Sequence, residues 1–486
     1  MKILMATSEA VPYIKTGGLA DVAGSLSEVL TERGHEVRLV LPYYRDIAAE
    51  NPEKLPFELN IGSQTCSVFQ CTGTSRTLCF LISHPVFTER AGVYGETSHS
   101  PYPDNLYRFT LFSKAVLELC SQQEWYPEIL HCHDWTTGLL PSLLSRSDDP
   151  GFSKTKSIMT IHNLGYQGEF TKHDIHAAGL DADLVFGEGP VTYEQRVNML
   201  KTGIGKADII STVSKTYARE IQTRTMGHGL DLLLSSRSED VYGILNGVDY
   251  SEWNPEHDRY IPHQYGVDQL ERKAENKIEL QKYCGLEQSA ETPLFGMVSR
   301  LADQKGFREL CSGTPSALER MLTELPVQIV IVGTGDHEIE SYLSRLEEMY
   351  ENFSAHLVFN NYVAHLVEAG ADFFLMPSRY EPCGLNQIYS LRYGTLPVVR
   401  KTGGLADTVT HINEQEQSGT GFVFDLMSGE AIFDAVQEAS LFYKNEPKAM
   451  KNAVIRAMKQ NFSWEKSADE YESMYTYLVK KGEHHE

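Results

Sequence analysis

The segment Lys15-Thr16-Gly17-Gly18-Leu19-Ala20-Asp21 recurs residue for residue as Lys401-Thr402-Gly403-Gly404-Leu405-Ala406-Asp407 in a chain of 486 residues. Seven consecutive identities exceed what coincidence supplies. Each copy follows a strand-like apolar run and leads into a helical pattern. Each can therefore present glycine backbone N–H groups and a helix N-terminus to an anion. Such a chain is constrained to two nucleotide-binding-like halves, and two loops facing each other across a cleft would hold one phosphorylated ligand between them.

The rest of the pattern agrees. Runs of strand length at Lys2 to Thr7, Glu36 to Leu41, Thr77 to Ile82, Ile129 to His133, Ser157 to Ile161 and Ile209 to Val213 alternate with amphipathic stretches. That alternation predicts a doubly wound parallel sheet with helices on both faces, an α/β fold. Leu19, Val22, Ala23, Leu26, Val29 and Leu30 keep i, i+3, i+4 spacing, and Gly34 stands past the end of the helix they predict. After Asn246-Gly247-Val248-Asp249 the periodicity breaks. A second series follows at Leu294 to Ser299, Gln328 to Gly333, Leu357 to Phe359, Asp372 to Met376 and Leu396 to Arg400. The expected domains are 1–250 and 251–465, with a terminal helix at 466–486.

Length and charge limit the partners. A hydrophobic content of 41% over 486 residues is enough for two cores. A net charge of -23 argues against nucleic acid or an anionic membrane, so any phosphate must be held by local design. No stretch approaches the roughly 18 apolar residues of a membrane span. The opening residues lack a secretory layout, and the eight scattered cysteines form no CxxC pair. The expected location is the cytoplasm.

Several side chains stand where chemistry is expected. Lys15 precedes two glycines that let backbone approach a diphosphate; alone it would read as a loop lysine, and the repeat turns the reading toward function. Arg300 and Lys305 follow the first strand of the second half, at the carboxyl end where open α/β sheets bind ligands. They could neutralise a departing diphosphate as a metal does elsewhere, and as surface cations would contribute little to folding. Glu381, after the strand Asp372 to Met376, could stabilise a cationic sugar; its bland reading is a helix-start carboxylate. His162 ends a strand, where a lone histidine is more often structural. In His131-Cys132-His133 the two histidines share a strand face that Cys132 does not, which disfavours zinc. Asp181-Ala182-Asp183 has the form of a metal-binding DxD and reads as solvated surface, so no metal and no cofactor are expected.

Taken in order, Lys15-Thr16-Gly17-Gly18-Leu19, His133-Asp134-Trp135, Ile161-His162-Asn163, Asn246-Gly247-Val248-Asp249, Trp253-Asn254-Pro255, Arg300 with Gln304-Lys305-Gly306, Glu381-Pro382-Cys383-Gly384-Leu385 and the second glycine loop resemble the bacterial glycogen and plastid starch synthases over nearly the whole chain. The resemblance implies a GT-B architecture of two Rossmann-like domains and metal-independent transfer of glucose with retention. It implies that Lys15, Arg300 and Lys305 engage the donor diphosphate, with Gly18, Thr402, Gly403 and Gly404 as backbone donors. Glu381 would lie near the donor glucose, in a loop lined by Cys383, Gly384 and Leu385. His162 would bond the donor sugar, with its backbone carbonyl at the reacting face. Glu9, Tyr94, Asp134 and Asn246 would position donor or acceptor. Where the family has glycine-tyrosine-aspartate-glutamate before an alanine-histidine pair, this chain has Val358-Phe359-Asn360-Asn361 before Ala364-His365, leaving Phe359 to stack on the base.

The leading expectation is elongation of an α-1,4-glucan or maltooligosaccharide from ADP-glucose. Its alternatives are the same reaction from UDP-glucose and a non-catalytic glucan or sugar-nucleotide-binding protein. Intact Lys15, Arg300, Lys305 and Glu381 weigh against the last. A glucan phosphorylase would need a pyridoxal phosphate lysine and a longer chain.

Overall fold

Apolar residues fill both sides of Lys2–Ala6: Leu4 and Ala6 enter one core, Ile3 and Met5 the other. A strand buried on both faces belongs to a parallel sheet covered by helices on each side. The computed structural model describes residues 1–49, 51–71, 76–97, 100–186, 196–358 and 360–483. It divides into two compact units, Met1–Gly247 with Trp464–Glu486, and Val248–Ser463.

The first unit is built on β1 (Lys2–Ala6), β2 (Glu36–Pro42), β3 (Glu53–Ile61), β4 (Gln64–Cys71), β5 (Leu78–Ser83), β6 (Ile129–His133), β7 (Lys156–Ile161), β8 (Ile209–Thr212) and β9 (Val241–Gly243). Their order is β9-β8-β7-β6-β1-β2-β5-β4-β3. All pairs are parallel except β3 with β4 and β4 with β5. The helix Gly18–Glu32 buries Leu19, Val22, Ala23, Leu26 and Leu30. It stops where Gly34 takes φ +88 while His35 N–H reaches Leu30 O and Gly34 N–H reaches Thr31 O; that double closure needs a residue without a Cβ penalty. The helix Trp464–Glu483 sets Tyr471, Met474, Tyr475 and Leu478 into the core behind β1 and β6. Arg33 fastens it through Asp469 at 2.7 Å, Glu472 at 2.6 Å and Glu465 at 2.8 Å.

The second unit holds β10 (Leu294–Val298), β11 (Gln328–Val332), β12 (Phe353–His356), β13 (Phe373–Met376), β14 (Leu396–Arg400) and β15 (Phe422–Phe424), all parallel, in the order β12-β11-β10-β13-β14-β15. The strand expected at Leu357 to Phe359 is displaced: the edge strand is Phe353–His356, and Val358 beyond it is 57% exposed. Its apolar residues Phe353 and Ala355 alternate with polar Ser354 and His356, so the true strand carries less apolar signal than the sequence after it. Among the described residues, no helix is long and apolar enough to cross a membrane.

Candidate active site

In both units the expected site residues cluster at the carboxyl ends of the strands, where an open sheet leaves its crevice. In the first unit Glu9 follows β1, Asp134 follows β6 and His162 follows β7. Glu9 is buried. Its carboxylate accepts from Thr16 Oγ1 at 2.8 Å, Gly17 N–H at 3.1 Å and, through the other oxygen, Tyr94 hydroxyl at 2.9 Å. Burial pushes its pKa up, against the pull of those bonds from Thr16, Tyr94 and Gly17. Glu9 thus anchors the first glycine loop from beneath. Gly18 opens the helix Gly18–Glu32, and among the described residues its N–H has no partner. Lys15 is 55% exposed and pairs with Asp21 of its own repeat at 2.7 Å.

Asp134 sits at φ +55 and takes the His162 N–H at 2.8 Å. Burial raises its pKa to about 7, opposed by the His162 and Asn163 N–H bonds and aided by the Glu9 charge. His162 Nε2 meets His133 Nδ1 at 3.0 Å, His133 stacks on His131 at 4.1 Å, and His131 Nδ1 meets the Tyr475 hydroxyl at 2.8 Å. Cys132 points into the opposite core, as strand alternation requires. Asn246 is buried, and among the described residues its Oδ1 has no partner.

Burial holds all three histidines neutral, His133 down to about 3 and His131 and His162 well below the usual value. A folded pKa below the unfolded one means stability present above about pH 6.5 and lost as pH falls. Asp134, raised, acts in the opposite sense. As pH falls through about 6.5 the three histidines therefore withdraw stability, while Asp134 returns part of it. Imidazole NMR titration checks this: the ring signals of His131, His133 and His162 are expected to stay unshifted from about pH 7.5 to about 5.5, and a ring that protonates in that window would be charged in the fold.

In the second unit Lys305 and Glu381 meet at 2.6 Å, with side chains 18% and 7% exposed, and Ser378 hydroxyl donates to the same carboxylate oxygen at 2.9 Å. Glu381 lies outside the first turn of the helix Asn386–Tyr393, so the helix-start reading does not apply. Arg300 is exposed, and its guanidinium lies 3.5 Å from Gln304 Oε1. Cys383 is buried, Gly384 takes φ +72 and Leu385 caps the helix that follows.

The two copies of the repeat do different work. A Cβ on Gly17 would meet nothing within 4 Å, whereas one on Gly403 or Gly404 would come within 1.9 Å of the Glu381 or Cys383 carbonyl. Gly404 N–H already donates to Glu381 O at 3.0 Å, which withdraws it from the expected diphosphate donors. The second loop's glycines pack on the Glu381–Cys383 backbone, and Thr402 before them is buried. Phe359 lies outside the described residues. Asn360 accepts from Tyr362 and Val363 N–H as the cap of the helix Asn361–Gly370, so a carboxylate there is not needed to start it. Asp181 and Asp183 are exposed, though Asp183 belongs to the short helix Ala182–Phe186 and not to a loop. Among the described residues, no group of three or more potential ligands could hold a metal.

Sequence reading missed Ser8, Thr16 and Ser378, the hydroxyls that fix Tyr94, Glu9 and Glu381. His133 stands in a family landmark, but its bond to His162 leaves no sign in the sequence. Residues next to a motif carboxylate are the signal that could have found them.

Residues 2–236 match the family model of the starch synthase catalytic domain, and 286–469 that of glycosyl transferases group 1. The chain is 42% identical to the glycogen synthase of Treponema denticola, covering 99% of both chains. It is likewise 42% identical to that of Geotalea daltonii, covering 99% of this chain and 100% of the other. The catalytic domain of starch synthase IV from Arabidopsis thaliana, solved bound to ADP and acarbose, superposes with a TM-score of 0.87 at 32% identity, covering 99% of both chains.

Proposed function

The chain belongs to the glycogen and starch synthase family of glycosyltransferases, with its GT-B fold, and we propose that it transfers glucose from ADP-glucose to the non-reducing end of an α-1,4-glucan, with retention and release of ADP. The observation that carries this reading is the ion pair of half-buried Lys305 with buried Glu381 at strand carboxyl ends, in a chain alike to glycogen synthases over its whole length. The ADP held by the Arabidopsis enzyme favours the adenine nucleotide.

In this reading Lys15, Arg300 and Lys305 neutralise the diphosphate, while Gly18, Thr402 and Gly403 supply backbone donors. Glu381 stabilises positive charge developing on the glucose, in a loop shaped by Cys383, Gly384 and Leu385. His162 bonds the donor sugar as a neutral imidazole, and Glu9, Tyr94, Asp134 and Asn246 orient the reactants. Incubation with ADP-glucose or UDP-glucose and a maltooligosaccharide, followed by nucleotide release and product length, tests it. Faster transfer from UDP-glucose would overturn the donor; binding without chain growth would leave a non-catalytic protein.

As charge neutralisers for the diphosphate, Lys15, Arg300 and Lys305 would make a divalent ion unnecessary. Exhaustive chelation is therefore expected to leave most of the activity. Its abolition, with recovery on adding magnesium or manganese, would return Asp181 and Asp183 to consideration.

A further inference from the structure

Arg108, on the helix Asn105–Gln122, is fully buried and, among the described residues, has no carboxylate in ion-pair range. Its Nε donates to Val86 O at 3.1 Å, and its Nη1 to Val93 O at 3.0 Å and Asn105 Oδ1 at 2.7 Å. Asn105 in turn donates through Nδ2 to Tyr94 O at 2.8 Å. The backbone on both sides of Tyr94 is thereby held from one helix start. The Tyr94 hydroxyl reaches Glu9, and Glu9 holds Thr16 and Gly17. One unbroken chain of hydrogen bonds runs from a buried cation to the first glycine loop.

Stability alone does not account for an arginine in this position. Taking a charge out of water costs several kcal/mol, and among the described residues Arg108 meets it with bonds to neutral oxygens and no opposing charge. What the guanidinium supplies is direction, three oxygens fixed by one planar fork.

We propose that Arg108 and Asn105 are positioning residues for transfer, acting through Tyr94 and Glu9 to fix the Thr16–Gly17 backbone beside the donor diphosphate. This rests on the transferase reading of the site. Asn105→Asp separates the role from folding: it keeps the acceptor for Arg108 and places a negative charge beside it, yet removes the donor to Tyr94 O. Its unfolding midpoint is expected at or above that of the unsubstituted protein, with kcat down about tenfold and the acceptor KM unchanged. Arg108→Met, which strands three buried oxygens, should lose stability as well as turnover, and Arg108→Lys should recover part of both.

Two readouts go beyond a structural role. In a Tyr94→Phe background, Asn105→Asp should cost less than about twofold more, because its effect passes through the missing hydroxyl. Amide hydrogen exchange in peptides spanning residues 8–20 should quicken in Asn105→Asp. Multiplicative losses in the double variant, or unchanged exchange at Thr16 and Gly17, would overturn the positioning role. An unsubstituted protein that transfers from no nucleotide sugar would overturn the function instead, with the exchange result still deciding the relay.

Discussion

Lys305→Ala is expected to lose at least about a hundredfold in turnover, and to lose stability with it. Read from sequence, Lys305 was a surface cation with little weight in folding. The structure half-buries it, at 18% exposure, against a carboxylate that is 7% exposed. Removing one member of such a pair strands the other, at a cost of about 3 kcal/mol. Arg300→Ala provides the contrast, because its exposed guanidinium makes only a long contact to Gln304. A similar drop in turnover is expected there, with an unfolding midpoint close to that of the unsubstituted protein. The double variant Lys305→Ala, Glu381→Gln completes the test, since the amide no longer leaves a buried charge. Stability should return to within about 1 kcal/mol while activity stays lost. Full turnover in either single variant would remove that residue from the site, and a double variant as unstable as Lys305→Ala would show that the pair's charge is not what matters.

The fold was legible where hydrophobic residues run without interruption. Strands buried on both faces, such as Ile129–His133 and Gln328–Val332, announce themselves as apolar blocks. The hairpin of β3 and β4 leaves no continuous apolar run, because its buried residues are few and scattered, Leu59, Cys66, Val68 and Cys71. Its turn signal was present in Gly62, which takes φ +60. Motif residues could be placed at strand ends, but not their bonds. Nothing in the repeat says that Gly17 stands clear while Gly404 is engaged by Glu381, since identical heptapeptides acquire their roles from residues far away in sequence. Arg108 was invisible for the same reason: its partners Val86 and Val93 are backbone carbonyls, which leave no trace in side-chain patterns.

Glu381→Gln is expected to lose about a thousandfold in turnover, and how it fails will say how the sugar bond is broken. An α-linked product from an α-linked donor requires either two inversions through a glucosyl-enzyme or displacement on one face with help from the leaving phosphate. Two inversions need a carboxylate free to attack, and retaining hydrolases keep their carboxyl pair about 5 Å apart for that purpose. Neither candidate is free in that sense. Glu381 accepts from Lys305 and Ser378 on one oxygen, and Asp134 accepts the backbone N–H groups that hold His162 and Asn163. Asp134 would have to give up those bonds, and the charge on Glu381 is already offset by the Lys305 ammonium. Displacement on one face is therefore expected, with Glu381 stabilising positive charge on the glucose and the His162 carbonyl near the reacting carbon. Intact-protein mass measurement of the unsubstituted enzyme with donor should show no added glucosyl group, and azide should not revive Glu381→Gln. Were Glu381 the nucleophile, azide would occupy its place and yield a β-glucosyl azide. That product, or a glucosyl adduct on either carboxylate, would establish two inversions in place of one displacement.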